Sequence, residues 1–211
     1  MHDTPDLFAQ ASDPSAAWLP VPMADANVAL LTTPVWPEPT AVLLQTITEQ
    51  TPWRQDSIVL WGKSHLQPRL SAWYGDPNSR YTYSGLAMNP LPWTPLLARL
   101  KAQVEAWCQT PFNSVLLNLY RDQRDSMGMH SDDEPELGAQ PAIASVSLGE
   151  TRTLVFKHRH QPALATVRVP LTDGSLMLMR GATQAHWKHG IAKQTRPLGP
   201  RLNLTFRLIR A

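Results

Sequence analysis

Hydrophobic and polar positions along this chain fall into three regimes. Up to about residue 55 prolines break every period, with eight of the twenty in residues 1–60 and Pro34, Pro37 and Pro39 spaced as a set. An extended arm is expected there, largely without order before Leu30. Its one predicted helix covers Glu38–Gln50, where Leu43, Leu44 and Ile47 share a face. From Ser57 short runs of β-branched and aromatic residues take over. Ser57–Trp61 and Arg69–Tyr74 read as strands, and Gly75-Asp76-Pro77-Asn78 as the turn after them. Thr94 before Pro95 marks a helix start, and Leu96, Leu97, Leu100, Val104 and Trp107 then repeat along one face. Beyond Pro111 nearly everything is strand and turn. The predicted strands are Asn113–Arg121, Ala142–Leu148, Thr153–His158, Ala165–Val169, Ser175–Met179, His186–Gly190 and Arg201–Ile209, with Asp173-Gly174 as a hairpin-type turn. So many short strands argue for an α+β fold whose core is a jelly roll, a double-stranded β-helix, supported by N-terminal helices. The expected division is an extension over 1–55, partly disordered with one helix, a middle segment over 56–110, and the jelly roll over 111–211.

Composition narrows this picture. A chain of 211 residues, 43% hydrophobic and 17% charged, is long enough for one domain with a full core. No apolar run reaches the length that spans a bilayer. The opening MHDTPDLFAQ carries acids and no basic n-region, so no signal peptide is expected. The single Cys108 closes no disulfide and sits at a helix end, where a structural role is expected. These features predict an intracellular, cytoplasmic protein. The net charge of +2 conceals an asymmetry: residues 1–60 carry seven acids and one base, whereas from Thr151 onward eleven Lys and Arg face one acid, Asp173. A polyanionic partner for the basic half is one reading, and an ordinary solvated face is the other.

Candidate chemistry begins at His130-Ser131-Asp132. Residues two apart on a strand point the same way, so this imidazole and carboxylate can converge on one ion. A histidine from a distant strand would complete two histidines and a carboxylate, the set that leaves positions open on Fe(II) for O₂ chemistry. The pair alone is common by chance. Of the later histidines, His158 and His160 read as a solvated strand end beside Lys157 and Arg159. His186 and His189 are three apart, so one is a ligand candidate while the other packs or meets substrate. In the last strand Arg201, Asn203, Thr205 and Arg207 alternate with Leu202, Leu204 and Phe206. A half-exposed edge strand would look alike, but two arginines around Asn and Thr can also hold both ends of a dicarboxylate. Asn118-Leu119-Tyr120 offers another polar pair on one face.

Taken together, Asn118-Leu119-Tyr120, His130-Ser131-Asp132-Asp133-Glu134, Gly181–His189 and Arg201–Arg207 resemble the AlkB family of Fe(II)/2-oxoglutarate-dependent dioxygenases. The likeness runs from about Leu60 to the C-terminus, with residues 1–55 outside it, and is nearest the eukaryotic-type homologues acting on DNA. It implies His130, Asp132 and His189 as iron ligands, through which they would be catalytic. It implies Arg201 on the distal carboxylate of 2-oxoglutarate, Arg207 near its metal-bound end, and Asn118, Tyr120, Asn203 and Thr205 around it. Fe(II), 2-oxoglutarate as co-substrate and O₂ are the implied cofactors. The implied reaction hydroxylates the methyl group of N-alkylated adenine or cytosine in DNA, releasing formaldehyde, succinate and CO₂.

Such a base must leave the stack to reach the metal. Among the aromatics of residues 67–85, Trp73 reads as hairpin packing, whereas the resemblance places Tyr81 and Tyr83 on a β-hairpin nucleotide-recognition lid, with Tyr83 stacking on the base opposite His130 and Ser84 nearby. Asp133 and Glu134 would touch the nucleotide or steady Arg69, with a solvated turn carboxylate as the plain alternative for Glu134. Trp61, in Leu60-Trp61-Gly62-Lys63, is either a wedge that fills the gap in a duplex or a buried strand residue. His186 is assigned to substrate. Alkylated DNA, duplex or single-stranded, is thus the expected partner, with RNA as an alternative, no membrane, and a monomer. Lys157, Arg159, Lys188, Lys193 and Arg196, among nine C-terminal cations not assigned to the co-substrate, would grip phosphates. A dioxygenase of the same fold acting on protein, lipid or RNA, or a non-catalytic nucleic-acid-binding jelly roll, are the competing readings.

Overall fold

The computed structural model describes residues 18–60, 63–77, 79, 81–83, 86–88 and 90–210, with backbone alone at 58–60, 63–64, 81–83 and 86–88. In chain order its elements begin with β1 (Leu19–Pro20), β2 (Asn27–Leu31), α1 (Thr40–Gln50), β3 (Ser57–Leu60), β4 (Lys63–Leu66) and β5 (Leu70–Gly75). Then come β6 (Tyr81–Tyr83), β7 (Leu86–Met88), α2 (Pro95–Cys108), β8 (Ser114–Tyr120), β9 (Met127–His130) and β10 (Ile143–Gly149). The chain closes with β11 (Arg152–His158), β12 (Val167–Leu171), β13 (Leu176–Arg180), α3 (Thr183–His186), β14 (Trp187–Ile191) and β15 (Arg201–Arg207).

Two antiparallel sheets face each other. The larger has the order β1-β2-β13-β10-β15-β8-β5, the smaller β12-β11-β14-β9. Period-two alternation in the larger sheet supplies two cores. Val115, Leu117, Val146, Leu148, Leu202, Leu204 and Phe206 pack outward on Leu43 and Ile47 of α1 and on Leu97, Leu100 and Val104 of α2. Leu116, Tyr120, Ile143, Met177 and Met179 face inward on Leu154, Phe156, Trp187 and Ile191 of the smaller sheet. The helix start at Pro95 is held as the sequence predicts, the Thr94 hydroxyl accepting the Leu97 N–H at 3.2 Å. Cys108 is buried, and burial pushes its thiol up to about 12, so it packs and stays protonated.

Two expectations are corrected. Order begins well before Leu30: β2 pairs with β13 from Asn27 to Leu31, because Val28 and Leu30 fill the space between the sheets and Leu31 packs under the helices. Asp173-Gly174 closes no hairpin. It carries the chain from β12 in one sheet to β13 in the other, with Gly174 at φ +73° and Gly149 N–H donating to Asp173 at 2.7 Å. The alternative of a half-exposed edge for the last strand is excluded, since β15 lies between β10 and β8 and is buried throughout. Among the described residues, no helix is long and apolar enough to cross a membrane.

Candidate active site

Because β15 is central, its polar face must find partners between the sheets. The Asn203 amide donates to Ser145 Oγ at 2.8 Å and to the Val146 carbonyl at 2.9 Å, while Thr205 Oγ1 donates to Asn203 Oδ1 at 2.9 Å. Arg201 Nη2 donates to Ser147 Oγ at 2.9 Å, and Arg69 Nε to Asn118 Oδ1 at 2.8 Å. Ser145 and Ser147 escaped the sequence reading, although their alternation with Ala144, Val146 and Leu148 carries the signal. Asn118, Tyr120, Arg201, Asn203, Thr205 and Arg207 line one cavity, which also reaches His130, Asp132 and His189.

Arg201 dominates the far end. Its guanidinium carbon lies 5.1 Å from the centre of the Tyr120 ring, and its Nε and Nη1 are buried without a hydrogen-bond partner among the described residues. Burial lowers its pKa to about 10, against the pull of Tyr120 and with that of Arg152, so it remains a cation at neutral pH. A buried cation with two unused N–H groups calls for an anion with two oxygens, and a carboxylate matches that fork. The donor set therefore fits the distal carboxylate of 2-oxoglutarate.

At the near end, β14 and β9 place His189 directly opposite His130. Their rings are 4.4 Å apart, and Asp132 Oδ1 and Oδ2 lie 3.8 Å from His130 Nε2 and 3.9 Å from His189 Nε2. The three ligand atoms fall within 4.8 Å of one another. Asp132 does not extend β9, which ends at His130; a loop brings its carboxylate back. His130 Nδ1 lies 2.9 Å from the Gly128 carbonyl, so the proton sits there and Nε2 keeps its lone pair for a metal. Burial, reinforced by His130, lowers His189 to about 3 despite Asp132, which keeps it neutral and ready to ligate. Burial alone would raise Asp132, but Arg207, His130 and His189 together hold it down at about 2. Two imidazoles and one carboxylate on one side fit Fe(II) with open positions.

Gly190 permits this approach. A Cβ there would stand 2.9 Å from Met127 O and 3.0 Å from Gly128 O, both backbone atoms of β9. Gly190→Ala is therefore expected to push β9 away from β14, weaken Mn(II) binding by about tenfold and lower the melting temperature by several degrees, read by titration and calorimetry. Unchanged metal affinity would mean that β9 yields without moving His130.

Asp133 is exposed and paired with Arg159 at 2.6 Å, while Glu134 Oε2 is buried without a partner among the described residues. Arg69 is buried beside Asn118. Tyr81 and Tyr83 lie on the β6–β7 hairpin, whose backbone is described; Trp61 and Ser84 lie outside the described residues, as does Asn78 of the predicted turn.

His186 does not line the cavity. It joins Asp25 and His158 in a second cluster, where the His158 and His186 ring centres are 5.7 Å apart. His158 is buried against the edge of Trp187 rather than solvated, since its strand position faces inward. Its Nδ1 accepts the N–H groups of His160 and Gln161, at 3.2 and 2.9 Å, so its proton is on Nε2 and no lone pair faces the cluster. A metal would have to displace that proton, which sets this cluster apart from His130, Asp132 and His189. The expected nine free cations also shrink. Arg152 is buried and donates to Asp125 O and Ala192 O, and Arg180 reaches Cys108 O.

The matches to known proteins agree with this geometry. The model of the 2OG-Fe(II) oxygenase superfamily matches residues 28–207, so the superfamily likeness takes in β2 as well. Over 175 residues the chain is 42% identical to the alpha-ketoglutarate-dependent dioxygenase alkB homolog 3 of Homo sapiens, covering 79% of this chain and 60% of that protein. Over 158 residues it is 43% identical to the human DNA oxidative demethylase ALKBH2, covering 72% of this chain and 60% of that protein. The chain thus spans about 60% of the length of these curated relatives. The solved structure of OsALKBH1 superposes with a TM-score of 0.60 at 18% identity, over 85% of this chain and 97% of that one, and attests the jelly-roll fold. With its His130–Asp132–His189 cluster beside an arginine-ended cavity, the chain belongs to the 2OG-Fe(II) oxygenase superfamily.

Proposed function

We propose that this protein is an oxidative demethylase that removes methyl groups from N-alkylated adenine and cytosine in DNA, with RNA as a second substrate. The observation that carries the reading is a single cavity with Arg201 and its two unpaired N–H groups at one end and His130, Asp132 and His189 at the other. When bound there, Fe(II) with 2-oxoglutarate and O₂ supplies oxidation of an unactivated C–H bond, yielding succinate and CO₂. The chain's own part is orientation. Arg201 fixes the distal carboxylate, Asn118, Tyr120, Asn203 and Thr205 shape the channel, and Arg207 anchors Asp132 at 2.8 Å. The hydroxylated methyl group then leaves as formaldehyde without a protein acid or base.

The relatives support the nucleic-acid side, since one of them is a DNA oxidative demethylase. Lys157, Lys188, Lys193 and Arg196 are exposed and free of ion pairs among the described residues, and they would meet phosphates. The β6–β7 hairpin with Tyr81, Tyr83 and Ser84, together with Trp61, Arg69, Asp133, Glu134 and His186, is assigned to the extruded nucleotide. This assignment makes 56–110 the lid and its supporting helix, 111–211 the catalytic core and 1–55 an extension. A monomer acting in the cytoplasm completes this reading.

The test mixes protein, Fe(II), 2-oxoglutarate and ascorbate with methylated single-stranded, duplex and RNA oligonucleotides and weighs the products. Loss of the methyl mass is expected, fastest on DNA. Succinate formation with no methyl loss on any oligonucleotide would overturn the substrate assignment while leaving the iron chemistry standing.

A further inference from the structure

We infer that Gln184, on the short helix α3, is a positioning residue for the metal site, acting through Asp132. The inference rests on the metal-site reading above and extends it to a residue that touches neither metal nor co-substrate. Asp132 lies past the end of β9, so its backbone N–H has no ladder partner, yet the residue is buried. Gln184 Oε1 accepts that N–H at 3.0 Å. Gln184 is itself only 2% exposed, and among the described residues its amide nitrogen meets just the weak acceptor Met179 Sδ, at 3.5 Å. Burying a long amide whose one strong bond goes to Asp132 costs desolvation and rotamer entropy that an apolar residue would avoid. A packing role alone does not call for an amide here.

The neighbourhood gives that bond leverage. α3 runs directly into β14, so Gln184 and His189 share one short stretch of backbone. The stretch is pinned on its far side by Thr183 Oγ1, which accepts the Asn27 N–H at 2.9 Å and donates to Arg180 O at 2.6 Å. The loop holding Asp132 is also fastened at Ser131, whose hydroxyl donates to Trp187 O at 3.1 Å. Arg159 Nη1 spans both parts, donating to Gln184 O at 3.2 Å and to Asp133 at 2.6 Å. Gln184 therefore couples the carboxylate ligand to the strand that carries the histidine ligand, and fixes their separation before a metal arrives.

Mn(II) titration followed by electron paramagnetic resonance, with calorimetry of the metal-free protein, tests this without relying on turnover. Gln184→Met keeps the volume and removes the acceptor, and Thr183→Val removes the tie to Asn27 while leaving Asp132 alone. The expected result is an Mn(II) dissociation constant raised about 10- to 100-fold in Gln184→Met. Thr183→Val should lose melting temperature at wild-type affinity. If Gln184→Met also binds Mn(II) within twofold of wild type, Gln184 is structural and the inference is overturned. If Gln184→Met does not fold, Gln184→Asn, whose amide falls short of Asp132, takes its place under the same criterion. Neither readout involves a nucleic acid, so a wrong substrate assignment leaves the outcome untouched.

Discussion

His189→Ala is expected to abolish methyl removal and to weaken Mn(II) binding by more than about 100-fold, beyond the usual cost of losing a residue that merely supports a ligand. His186→Ala, three residues away, is expected to leave metal affinity within about twofold. Geometry separates the two. His189 Nε2 lies 3.9 Å from Asp132 Oδ2, its ring is 4.4 Å from that of His130, and burial keeps it neutral. The His186 ring belongs with His158, on the last residue of α3 before β14 begins. Titration of each variant with Mn(II), together with the mass of a methylated oligonucleotide after incubation, decides between them. Turnover retained in His189→Ala and lost in His186→Ala would reverse the ligand assignment.

The sequence revealed the parts of this site that local periodicity governs. Arg201, Asn203, Thr205 and Arg207 are visible because a strand alternates, and the same holds for α2 with its Thr94 cap. Periodicity did not reveal which sheet each strand joins. The turn residues Asp173-Gly174 look alike whether the next strand folds back on the last or crosses to another sheet, and here it crosses. β9, Met127-Gly128-Met129-His130, carries no strand pattern because a sheet edge with one partner tolerates glycine and exposed methionine. β2 was hidden by its neighbourhood: five residues, Asn27–Leu31, sit between proline-rich stretches, and only their place beside β13 makes them a strand.

Charge counting failed for a related reason. Arg152 and Arg180 read like any surface cation, yet each is spent on backbone carbonyls inside the molecule. Gln184 was silent as well, since nothing in Ala182-Thr183-Gln184-Ala185 distinguishes an amide that will be buried against Asp132 from a solvated one. Long-range partners, not residue type, decide such cases.

Asp132→Ala is expected to fail twice, and the two failures can be separated. As a ligand, Asp132 supplies the only carboxylate in the three-residue set, so metal affinity should drop by at least about 100-fold and turnover with it. As a partner, its Oδ1 accepts from Arg207 Nη2 at 2.8 Å, with both side chains nearly inaccessible to water. Removing the anion from a buried pair takes the matching carboxylate from the Arg207 cation in a poorly solvating interior, at a cost of roughly 3–5 kcal/mol. For a chain of this size that is a fall of about 10 °C in the melting temperature of the metal-free protein. The double variant Asp132→Ala/Arg207→Met removes both charges and should recover most of that loss, because an apolar replacement of a buried pair is often neutral. It should recover none of the Mn(II) affinity. If the double variant regained metal binding, Asp132 would be no ligand; if Asp132→Ala alone melted like wild type, Arg207 would not depend on this carboxylate. The expected split, stability restored and metal still lost, follows from one side chain serving two cations, the fixed guanidinium of Arg207 and the metal that it leaves room for.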